Sequence, residues 1–337
     1  MNFLGFRLPA IILFFLGFPV FWLFWIGLYA LSPGPPDAKT QIEVIIPARA
    51  SLSAITEILA ENKVIQDDVR FSILALLTGS AKKLKAGEYV FESGRRPLEV
   101  IERLKKGKVL YRPVTIPEGT EMARIAEILA AAGWSDYDLF LDLVHDPEIL
   151  ADFGIHAANL EGYLFPDTYY LSRGQQTTME IIRMMVDKHF QVFNELAKNS
   201  NDLPMSLTHH EMVTLASIVE KETGLEEERG LVGSVFLNRL AKGMRLQADP
   251  TVRYGLKKNN GPLSRDDLKN PSSYNTYKFP GLPPGPITNP GREAIKAVLF
   301  PVESDYLYFV AKDDKSHHFS RTLQEHNKAV SRYRKGK

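Results

Sequence analysis

The chain has 337 residues, a net charge of +1 and no cysteine. A net charge so close to zero argues against nucleic-acid binding, and the lack of cysteine excludes disulfides, thiolate metal sites and a cysteine nucleophile. With 45% hydrophobic and 24% charged residues, the composition is that of a folded protein long enough for two domains.

The N-terminal segment from Leu8 to Leu31 contains no charged residue and is dominated by Ile, Leu, Phe and Trp. Roughly 20 such residues suffice to cross a bilayer, so the segment predicts one uncleaved transmembrane helix. A signal peptide cleaved at Ala30-Leu31-Ser32 is the alternative, which the following Pro33 disfavours. Arg7 ahead of the segment predicts, by the positive-inside rule, that the rest of the chain lies outside the cytoplasm.

The part that follows the anchor and its proline-rich spacer (residues 1–36) is predicted to be a small α+β subdomain, residues 37–110. Strands are predicted at 41–47 and 87–91, and helices at 51–60, 66–77 and 97–106.

An internal repeat opens the next part, a linking subdomain at residues 111–158 that continues with predicted helices at 134–145 and 147–153. Ile46-Pro47 followed by Ile55, Ile58 and Leu59 matches Ile116-Pro117 followed by Ile125, Ile128 and Leu129. Each copy predicts a strand, a tight turn and an amphipathic helix, and two copies are too few for a solenoid. This pattern of a strand, a small-residue turn and a helix carrying Ile-x-x-Ile-Leu resembles the LysM carbohydrate-binding module, whose ligands are N-acetylglucosamine polymers. Any strand that packs on a helix would show a similar pattern.

The remaining part, residues 159–337, is predicted to be a mixed α+β domain. Helices are predicted at 178–198, 207–223, 226–241, 291–299 and 323–333, and strands at 305–310 and 318–320. The stretch 243–290 is rich in Pro, Gly, Tyr and Asn and is predicted to be irregular. So long an irregular region inside a compact domain usually carries function.

One of these helices carries a candidate general acid. Leu215, Ile218, Val219 and Glu222 recur at the spacing of one helix face, and the first three are apolar. A carboxyl group at the rim of an apolar face loses water, so its pKa rises, and a Glu protonated near neutral pH is what a general acid requires. Glu220 points elsewhere and is expected to be the more solvated of the two. The alternative is that Glu222 only marks the edge where the helix meets solvent.

Polar and aromatic side chains of the irregular stretch are candidates for binding a sugar. They are Gln247, Asp249, Tyr274, Asn275 and Tyr277. Amide and carboxylate groups beside an aromatic ring suit a polar, planar ligand, although a proline-rich loop that only wraps the core would look similar. No His-Glu-x-x-His, Gly-x-Ser-x-Gly or phosphate-loop motif occurs, so we expect neither a metal nor a cofactor.

Six short motifs follow one another in the second half of the chain. They are Ala216–Thr223, Ser234–Leu240, Met244–Val252, Tyr274–Tyr277, Gly281–Gly285 and Tyr306–Ala311. Together they resemble the MltG (YceG-like) family of membrane-anchored endolytic murein transglycosylases. The resemblance implies an α+β protein with an N-terminal transmembrane helix, a LysM-like module and a mixed α+β catalytic domain. It also implies a lyase anchored in the cell inner membrane with its body in the periplasm.

The resemblance assigns catalysis to one carboxyl group, because the family's catalytic residue is the second Glu of a Glu-x-Glu motif and falls on Glu222. The implied reaction begins when Glu222 protonates the glycosidic oxygen between N-acetylmuramic acid and N-acetylglucosamine. The C6 hydroxyl of the muramyl residue then attacks C1 and leaves a 1,6-anhydro end, which requires no second catalytic carboxylate. The hypothesised substrate-binding residues are Glu220, Gln247, Asp249, Tyr274, Asn275 and Tyr277.

The implied partners are peptidoglycan glycan strands and the peptidoglycan synthases whose nascent strands the enzyme would terminate. Two other functions remain compatible with the residues. A hydrolase would use a second carboxylate, for which Asp249 is the best candidate, and would leave reducing ends. A membrane-anchored, wall-binding scaffold would have no catalytic activity, and Glu222 would then be only a packed helix residue.

Overall fold

The computed structural model describes residues 20–36, 40–198, 206–258, 261–314 and 316–334. The chain divides into two compact units, of which the first comprises Met1–Pro113 and Tyr170–Thr177 and the second Val114–Tyr169 and Thr178–Lys337. The chain passes from one unit to the other within strand β3 (Arg112–Thr115) and again within strand β4 (Thr168–Leu171). The mixed α+β class predicted from the sequence is confirmed.

The first unit is built on an antiparallel pair of strands with helices against it. Its elements are the helical residues 20–31 (α1), β1 (Gln41–Ile46), α2 (Leu52–Glu61), α3 (Arg70–Leu77), β2 (Gly87–Glu92) and α4 (Pro97–Lys106). Strand β1 alternates exposed and buried residues and pairs with β2 from Gln41 opposite Glu92 to Ile46 opposite Gly87. This alternation places one face of β1 in the core, where Val44 and Ile46 are buried.

The predicted anchor falls only partly on the described residues, because residues 8–19 lie outside them. Helix α1 buries Ile26, Tyr29 and Ala30 in the core of the first unit, and the Arg70 guanidinium lies 4.5 Å from the Tyr29 ring centre. Within the described part of the chain, no helix combines the length and the apolar character that crossing a membrane requires.

The second unit contains most of the helices. Its elements are α5 (Met122–Ala131), α6 (Tyr137–His145), α7 (Pro147–Asp152), α8 (Thr178–Ala197), α9 (His209–Glu222), α10 (Glu226–Ala241), α11 (Asp249–Leu256), α12 (Arg292–Leu299), β5 (Tyr308–Ala311), β6 (His317–Ser320) and α13 (Leu323–Arg334). The two predicted strands are present as β5 and β6, which pair antiparallel.

Both copies of the internal repeat form a strand followed by a helix, β1 with α2 and β3 with α5. The equivalent apolar residues of the two copies are buried to the same extent: Ile46, Ile55 and Leu59 in one, Ile116, Ile125 and Leu129 in the other. In both copies, therefore, the apolar positions of the repeat lie in the protein core.

Helix α9 is the central helix of the core of the second unit. It begins with a capping box, in which the Thr208 hydroxyl accepts from the Glu211 N–H and the Glu211 carboxylate accepts from the Thr208 N–H. All eight residues from Met212 to Val219 are buried, so the helix packs on every side instead of along one stripe. At its C-terminal end the Glu220 side chain is largely buried, whereas Lys221 is exposed.

Helix α11 corrects the prediction that residues 243–290 are irregular throughout. The helix begins at Asp249, and Pro250 lies in its first turn. A proline there costs no hydrogen bond, because the N–H groups of the first turn have no partner within the helix. Asp267–Lys269 adds a short 3-10 turn to the same stretch.

Candidate active site

Glu222 is the last residue of α9 and lies on the walls of two cavities in the second unit. The first cavity, of about 440 Å³, is lined by Glu121, Lys221, Glu222, Asp249, Pro250, Arg253, Tyr254, Lys258 and Ile287. The second cavity, of about 390 Å³, is lined by Glu222, Arg239, Leu246, Gln247, Asp249, Tyr277, Tyr308, Phe309, Val310, Ala311, His317, Leu323, His326 and Val330. Glu222 and Asp249 are the residues that the two cavities share.

The carboxyl group of Glu222 is held in its protonated form near neutral pH. Loss of water around the side chain, followed by the negative charge of Asp249, raises its pKa to about 8, and the positive charge of Arg239 opposes this rise. Glu222 forms no hydrogen bond or ion pair with any other residue in the described parts of the chain. Its proton is therefore available to a molecule in either cavity.

Asp249 and Tyr277 form a hydrogen-bonded pair at the same wall. The Tyr277 hydroxyl donates to Oδ1 of Asp249 at an O···O distance of 2.6 Å. Burial raises the pKa of Tyr277, so its hydroxyl stays a donor at physiological pH. The pair fixes the carboxylate of Asp249 beside Glu222.

Gln247 lines the second cavity from a strained backbone position. Its φ is +51°, in the left-handed region that residues other than glycine rarely adopt. The Gln247 N–H donates to the Thr276 carbonyl oxygen at 3.2 Å, and the next N–H, that of Ala248, donates to the Thr276 hydroxyl at 3.0 Å. These bonds hold the turn that directs Gln247 toward the cavity.

Arg239 of α10 lines the second cavity and is only 7% exposed. Its guanidinium donates to the carbonyl oxygens of Leu307 at 2.7 Å and Leu246 at 2.6 Å. Burial lowers the pKa of Arg239, while the neighbouring hydroxyls of Tyr308 and Tyr277 and the carboxyl of Glu222 act in the opposite direction. Arg239 thus ties α10, the segment before α11 and the segment before β5 together around Glu222.

Tyr274 and Asn275 line neither cavity. The ring of Tyr274 packs on that of Tyr254, with centres 4.9 Å apart. Asn275 is buried; its amide donates to the carbonyl oxygens of Leu268 and Asn270, and its oxygen accepts from the Tyr277 N–H at 3.0 Å. All these contacts are internal, so the position of Asn275 favours support of the loop over direct contact with a ligand.

Glu220 corrects the expectation of a solvated side chain, because its side chain is only 5% exposed. One oxygen pairs with the Arg229 guanidinium at 3.1 Å and the other accepts from the Gly291 N–H at 2.9 Å, at the start of α12. The expectation failed because α9 is buried on every side, so Glu220 faces α10 and α12 instead of water. Glu220 lines neither cavity.

A buried carboxyl group that the sequence analysis did not single out is that of Glu161, which is 3% exposed. It accepts from the Met122 N–H at 3.0 Å, from the Asn289 amide at 2.9 Å and from the Tyr254 hydroxyl at 3.4 Å. Loss of water raises the pKa of Glu161 to about 8. The signal that could have found it is an acidic residue in the apolar, aromatic-rich run from Leu160 to Phe165.

Asn289 joins three segments around this carboxyl group and is fully buried. Its oxygen accepts from the N–H groups of Gly162 and Leu164, both at 2.9 Å. Its amide donates to the Thr120 carbonyl oxygen and to Glu161, again both at 2.9 Å. A second link, from the Ile287 N–H to the Ser217 hydroxyl at 3.0 Å, fastens the same loop to α9.

Within the described ranges, no cluster of three or more His, Asp or Glu side chains is arranged to hold a metal ion. Two groups of histidines in the second unit contact other side chains, and one of these histidines, His317, lines the second cavity. His189 and His209 are in contact through their Nε2 atoms at 3.0 Å, and His210 bonds to Tyr163. His317 is paired with Glu228 at 2.7 Å.

Comparison with known proteins places these residues in a family. A family model described as YceG-like matches residues 44–332. The endolytic murein transglycosylase of Bacillus subtilis strain 168 is 34% identical over 92% of this chain and 89% of its own length. The endolytic murein transglycosylase of Streptococcus pneumoniae strain R6 is 29% identical over 91% of this chain, which spans only 61% of the streptococcal protein.

Among solved structures, the crystal structure of a putative yceG-like protein from Listeria monocytogenes is 35% identical in sequence, with a TM-score of 0.58. The match covers 87% of this chain and all of that one. By the family match over most of its length and by its identity to the Bacillus protein, the chain belongs to the YceG-like family.

Proposed function

We propose that this protein is an endolytic peptidoglycan lytic transglycosylase, a lyase that cleaves the β-1,4 bond between N-acetylmuramic acid and N-acetylglucosamine and leaves 1,6-anhydro-muramyl ends. The observation that carries the proposal is the state of Glu222. Its pKa is raised to about 8, it is without a partner in the described chain, and it lies between two cavities. The names of the curated relatives support the same activity.

Glu222 performs both proton transfers. In its protonated form it donates to the glycosidic oxygen as the bond to C1 breaks and positive charge develops on the muramyl ring. The resulting carboxylate then accepts the proton of the muramyl C6 hydroxyl as that oxygen bonds to C1. The attacking hydroxyl belongs to the sugar that is being cleaved, so no water has to be positioned.

Cleavage within a strand requires sugar units to bind on both sides of the cleaved bond. The arrangement of two cavities with Glu222 on their common wall supports such binding. Polar and aromatic groups line both cavities, among them Tyr254 in the first and Gln247 and Tyr277 in the second. Such groups bind sugars through hydrogen bonds and through the faces of their rings.

We also propose the four-part organisation predicted from the sequence. Residues 1–36 anchor the chain in the inner membrane, residues 37–110 are a LysM-like glycan-binding module, residues 111–158 are a linking subdomain, and residues 159–337 carry catalysis in the periplasm. The uncharged run from Leu8 to Leu31 supports the anchor. The peptidoglycan synthases that would supply the nascent strands are the expected partners. Protease digestion of intact spheroplasts tests the topology, because a periplasmic body would be degraded from outside.

The specific alternative is hydrolysis with Asp249 as the second carboxylate, because Asp249 lies on the same wall as Glu222. In that reaction Asp249 would activate a water or attack C1, and the new ends would be reducing ends. The hydrogen bond from Tyr277 occupies one oxygen of Asp249 and leaves the other for such a role.

Both functions are tested by incubating the full chain in detergent with purified peptidoglycan and analysing the fragments by mass spectrometry, beside the Glu222→Gln variant. We expect the wild-type protein to release fragments that are lighter by one water molecule than fragments with a reducing end. We expect the Glu222→Gln variant to release no fragments. Reducing ends from the wild-type protein would establish the hydrolase instead. Equal cleavage by both proteins would remove Glu222 from catalysis, and no cleavage by either would contradict an enzymatic function.

A further inference from the structure

The first cavity contains three cationic side chains, and two of them already have partners. The Lys258 ammonium pairs with Oδ2 of Asp267 at 2.6 Å. The Lys221 ammonium donates to the Gly119 carbonyl oxygen at 3.3 Å, and its positive charge acts on the carboxyl group of Glu121, whose pKa it lowers against the stronger effect of burial.

Arg253 is the third cation, and its guanidinium forms no hydrogen bond or ion pair with the rest of the described chain. Its residue is half-buried on the cavity wall. Arg253 follows Asp249 by four residues in α11, so the two lie one helical turn apart on the same face, where opposite charges commonly pair. Here Asp249 instead accepts from Tyr277, which leaves the guanidinium facing the cavity.

An arginine in this position suits a carboxylate. The guanidinium carries five N–H donors in a planar fork that matches the two oxygens of a carboxylate, and it stays charged at every physiological pH. The first cavity has polar walls, and Glu222, the acid that would cleave the substrate, is one of its lining residues. A carboxylate bound by Arg253 would therefore belong to a sugar unit next to the cleaved bond.

We infer that Arg253 binds a carboxylate of the N-acetylmuramic acid unit and so places that unit in the first cavity. This inference rests on the proposed function, because it takes murein as the substrate. N-acetylglucosamine carries no carboxylate, so it occupies the second cavity, beside Gln247 and Tyr277. The glycan strand then runs in one direction only, with its reducing end on the side of the second cavity.

The carboxylate has two possible sources in murein. A strand without peptides carries a free lactyl carboxylate on each muramyl unit, whereas in a peptide-bearing strand that group is an amide and the carboxylates belong to the stem peptide. Both sources present the same group to Arg253. Three substrates distinguish them: peptide-bearing strands, strands stripped of peptide, and stripped strands whose lactyl carboxylates have been converted to methylamides.

The test compares Arg253→Gln with Arg265→Gln, both in the full chain. Arg265 is exposed, lies 12 residues later in the sequence and lines neither cavity, so its variant controls for the loss of one positive charge. Arg253→Lys keeps the charge but not the fork. Binding of each substrate is measured by calorimetry in the Glu222→Gln background, where no strand is cleaved, and kcat/KM is measured with Glu222 intact.

We expect Arg253→Gln to weaken binding of one carboxylate-bearing substrate about 10- to 100-fold, the range for charge-assisted hydrogen bonds, and to leave the methylamide strands unaffected. Loss with stripped strands assigns the lactyl carboxylate, and loss with peptide-bearing strands assigns the stem. We expect Arg253→Lys to recover part of the loss and Arg265→Gln to bind like its parent.

If Arg253→Gln bound all three substrates as tightly as its parent does, the inference would be overturned. It would also be overturned if the variant lost as much affinity for the methylamide strands as for the carboxylate-bearing strands, because that result would indicate a structural role at the end of α11. The failure of the proposed function is a separate result. If the wild-type protein cleaved no strand, the binding comparison would still decide whether Arg253 recognises a carboxylate.

Discussion

The negative charge of Asp249 raises the pKa of Glu222, and the two carboxyl groups lie on the wall common to both cavities. Asp249 accepts a hydrogen bond from Tyr277 at 2.6 Å, which holds its carboxyl group in place beside Glu222. One carboxyl group is thus kept protonated by burial and by the charge of the other. A carboxyl group whose pKa is raised by burial and by a neighbouring negative charge is typical of a general acid in an enzyme.

Asp249→Asn should move the pH dependence of cleavage. The variant removes the negative charge that helps to raise the pKa of Glu222, so Glu222 loses its proton at a lower pH. Because the free enzyme must carry that proton, kcat/KM declines as the pH passes the pKa, which is about 8 in the wild-type protein. We expect the alkaline limb of the profile to shift down by about one pH unit.

The control for this measurement is Asp266→Asn, since Asp266 is exposed and lines neither cavity. Its profile should match that of the wild-type protein. Loss of cleavage at every pH in Asp249→Asn would instead assign Asp249 a direct part in the reaction, as the hydrolase requires.

Glu222→Gln should abolish cleavage and stabilise the fold at alkaline pH. Loss of the general acid typically costs about 10²- to 10⁴-fold in rate. The folded pKa of Glu222 is raised from 4.5 to about 8, so its contribution to stability is fully present below pH 4.5 and is lost as the pH rises to 8. Glutamine does not titrate, and the variant avoids that loss.

Thermal unfolding at pH 4.5 and pH 8 measures the effect. We expect the two proteins to be about equally stable at pH 4.5 and the variant to be more stable at pH 8 by on the order of 4 kcal/mol. Glu161 titrates in the same window in both proteins and cancels in the comparison. Glu303→Gln, which replaces an exposed carboxyl group, should show no such difference. A variant less stable than the wild-type protein at pH 8 would contradict the raised pKa.

The spacing of apolar residues and Glu222 along one helix face was sufficient to predict a raised pKa for Glu222. Leu215, Ile218 and Val219 are each fully buried, and the carboxyl group on the same helix face is desolvated as expected. Periodicity within one helix carries this information because residues three and four apart are neighbours. The strand and helix of each repeat copy were predictable for the same reason.

Contacts between distant segments were not predictable in this way. The partners of Glu220 are Arg229 on the next helix and the Gly291 N–H, which is 71 residues away in the sequence. These contacts could not be predicted because a single sequence does not show which elements pack on α9. Helix α11 was not predicted because the Pro, Gly, Tyr and Asn content of residues 243–290 indicates irregular structure, whereas a proline in the first turn of a helix is favourable. Arg253 could be placed on a cavity wall only once that helix was known.

Glu220→Gln should destabilise the fold, because it removes the ionised partner of a largely buried arginine. The Arg229 side chain is 11% exposed and its other acidic neighbour, Glu118, is 3.5 Å away on the surface. Breaking a buried ion pair on one side commonly costs about 3–5 kcal/mol. The matched control is Glu118→Gln, which removes an exposed partner of the same guanidinium and should cost less than about 1 kcal/mol.

Chemical denaturation measures the free energies of unfolding of Glu220→Gln and Glu118→Gln. The cleavage rates of the two variants are then compared at equal concentrations of folded protein. Since Glu220 lines neither cavity, we expect the rate of Glu220→Gln to stay within about twofold of the wild-type rate, which corresponds to less than about 0.5 kcal/mol. A large loss of rate in a fully folded Glu220→Gln protein would support the direct binding role predicted from the sequence.

Two adjacent buried residues, Thr288 and Asn289, should respond to substitution in opposite ways. Asn289→Ala leaves the N–H groups of Gly162 and Leu164, the Thr120 carbonyl oxygen and Glu161 without their partner, and each unsatisfied buried group costs about 1–3 kcal/mol.

The Thr288 hydroxyl is equally buried but has no hydrogen-bond partner within the described residues. Thr288→Val replaces it with a methyl group of the same shape, so we expect a neutral or stabilising change of up to about 1 kcal/mol. Denaturant unfolding of the two variants gives the comparison. We expect the free energy of unfolding of Asn289→Ala to fall by at least about 3 kcal/mol. Equal losses in both variants would mean that the side-chain hydrogen bonds of Asn289 contribute no more to stability than packing does.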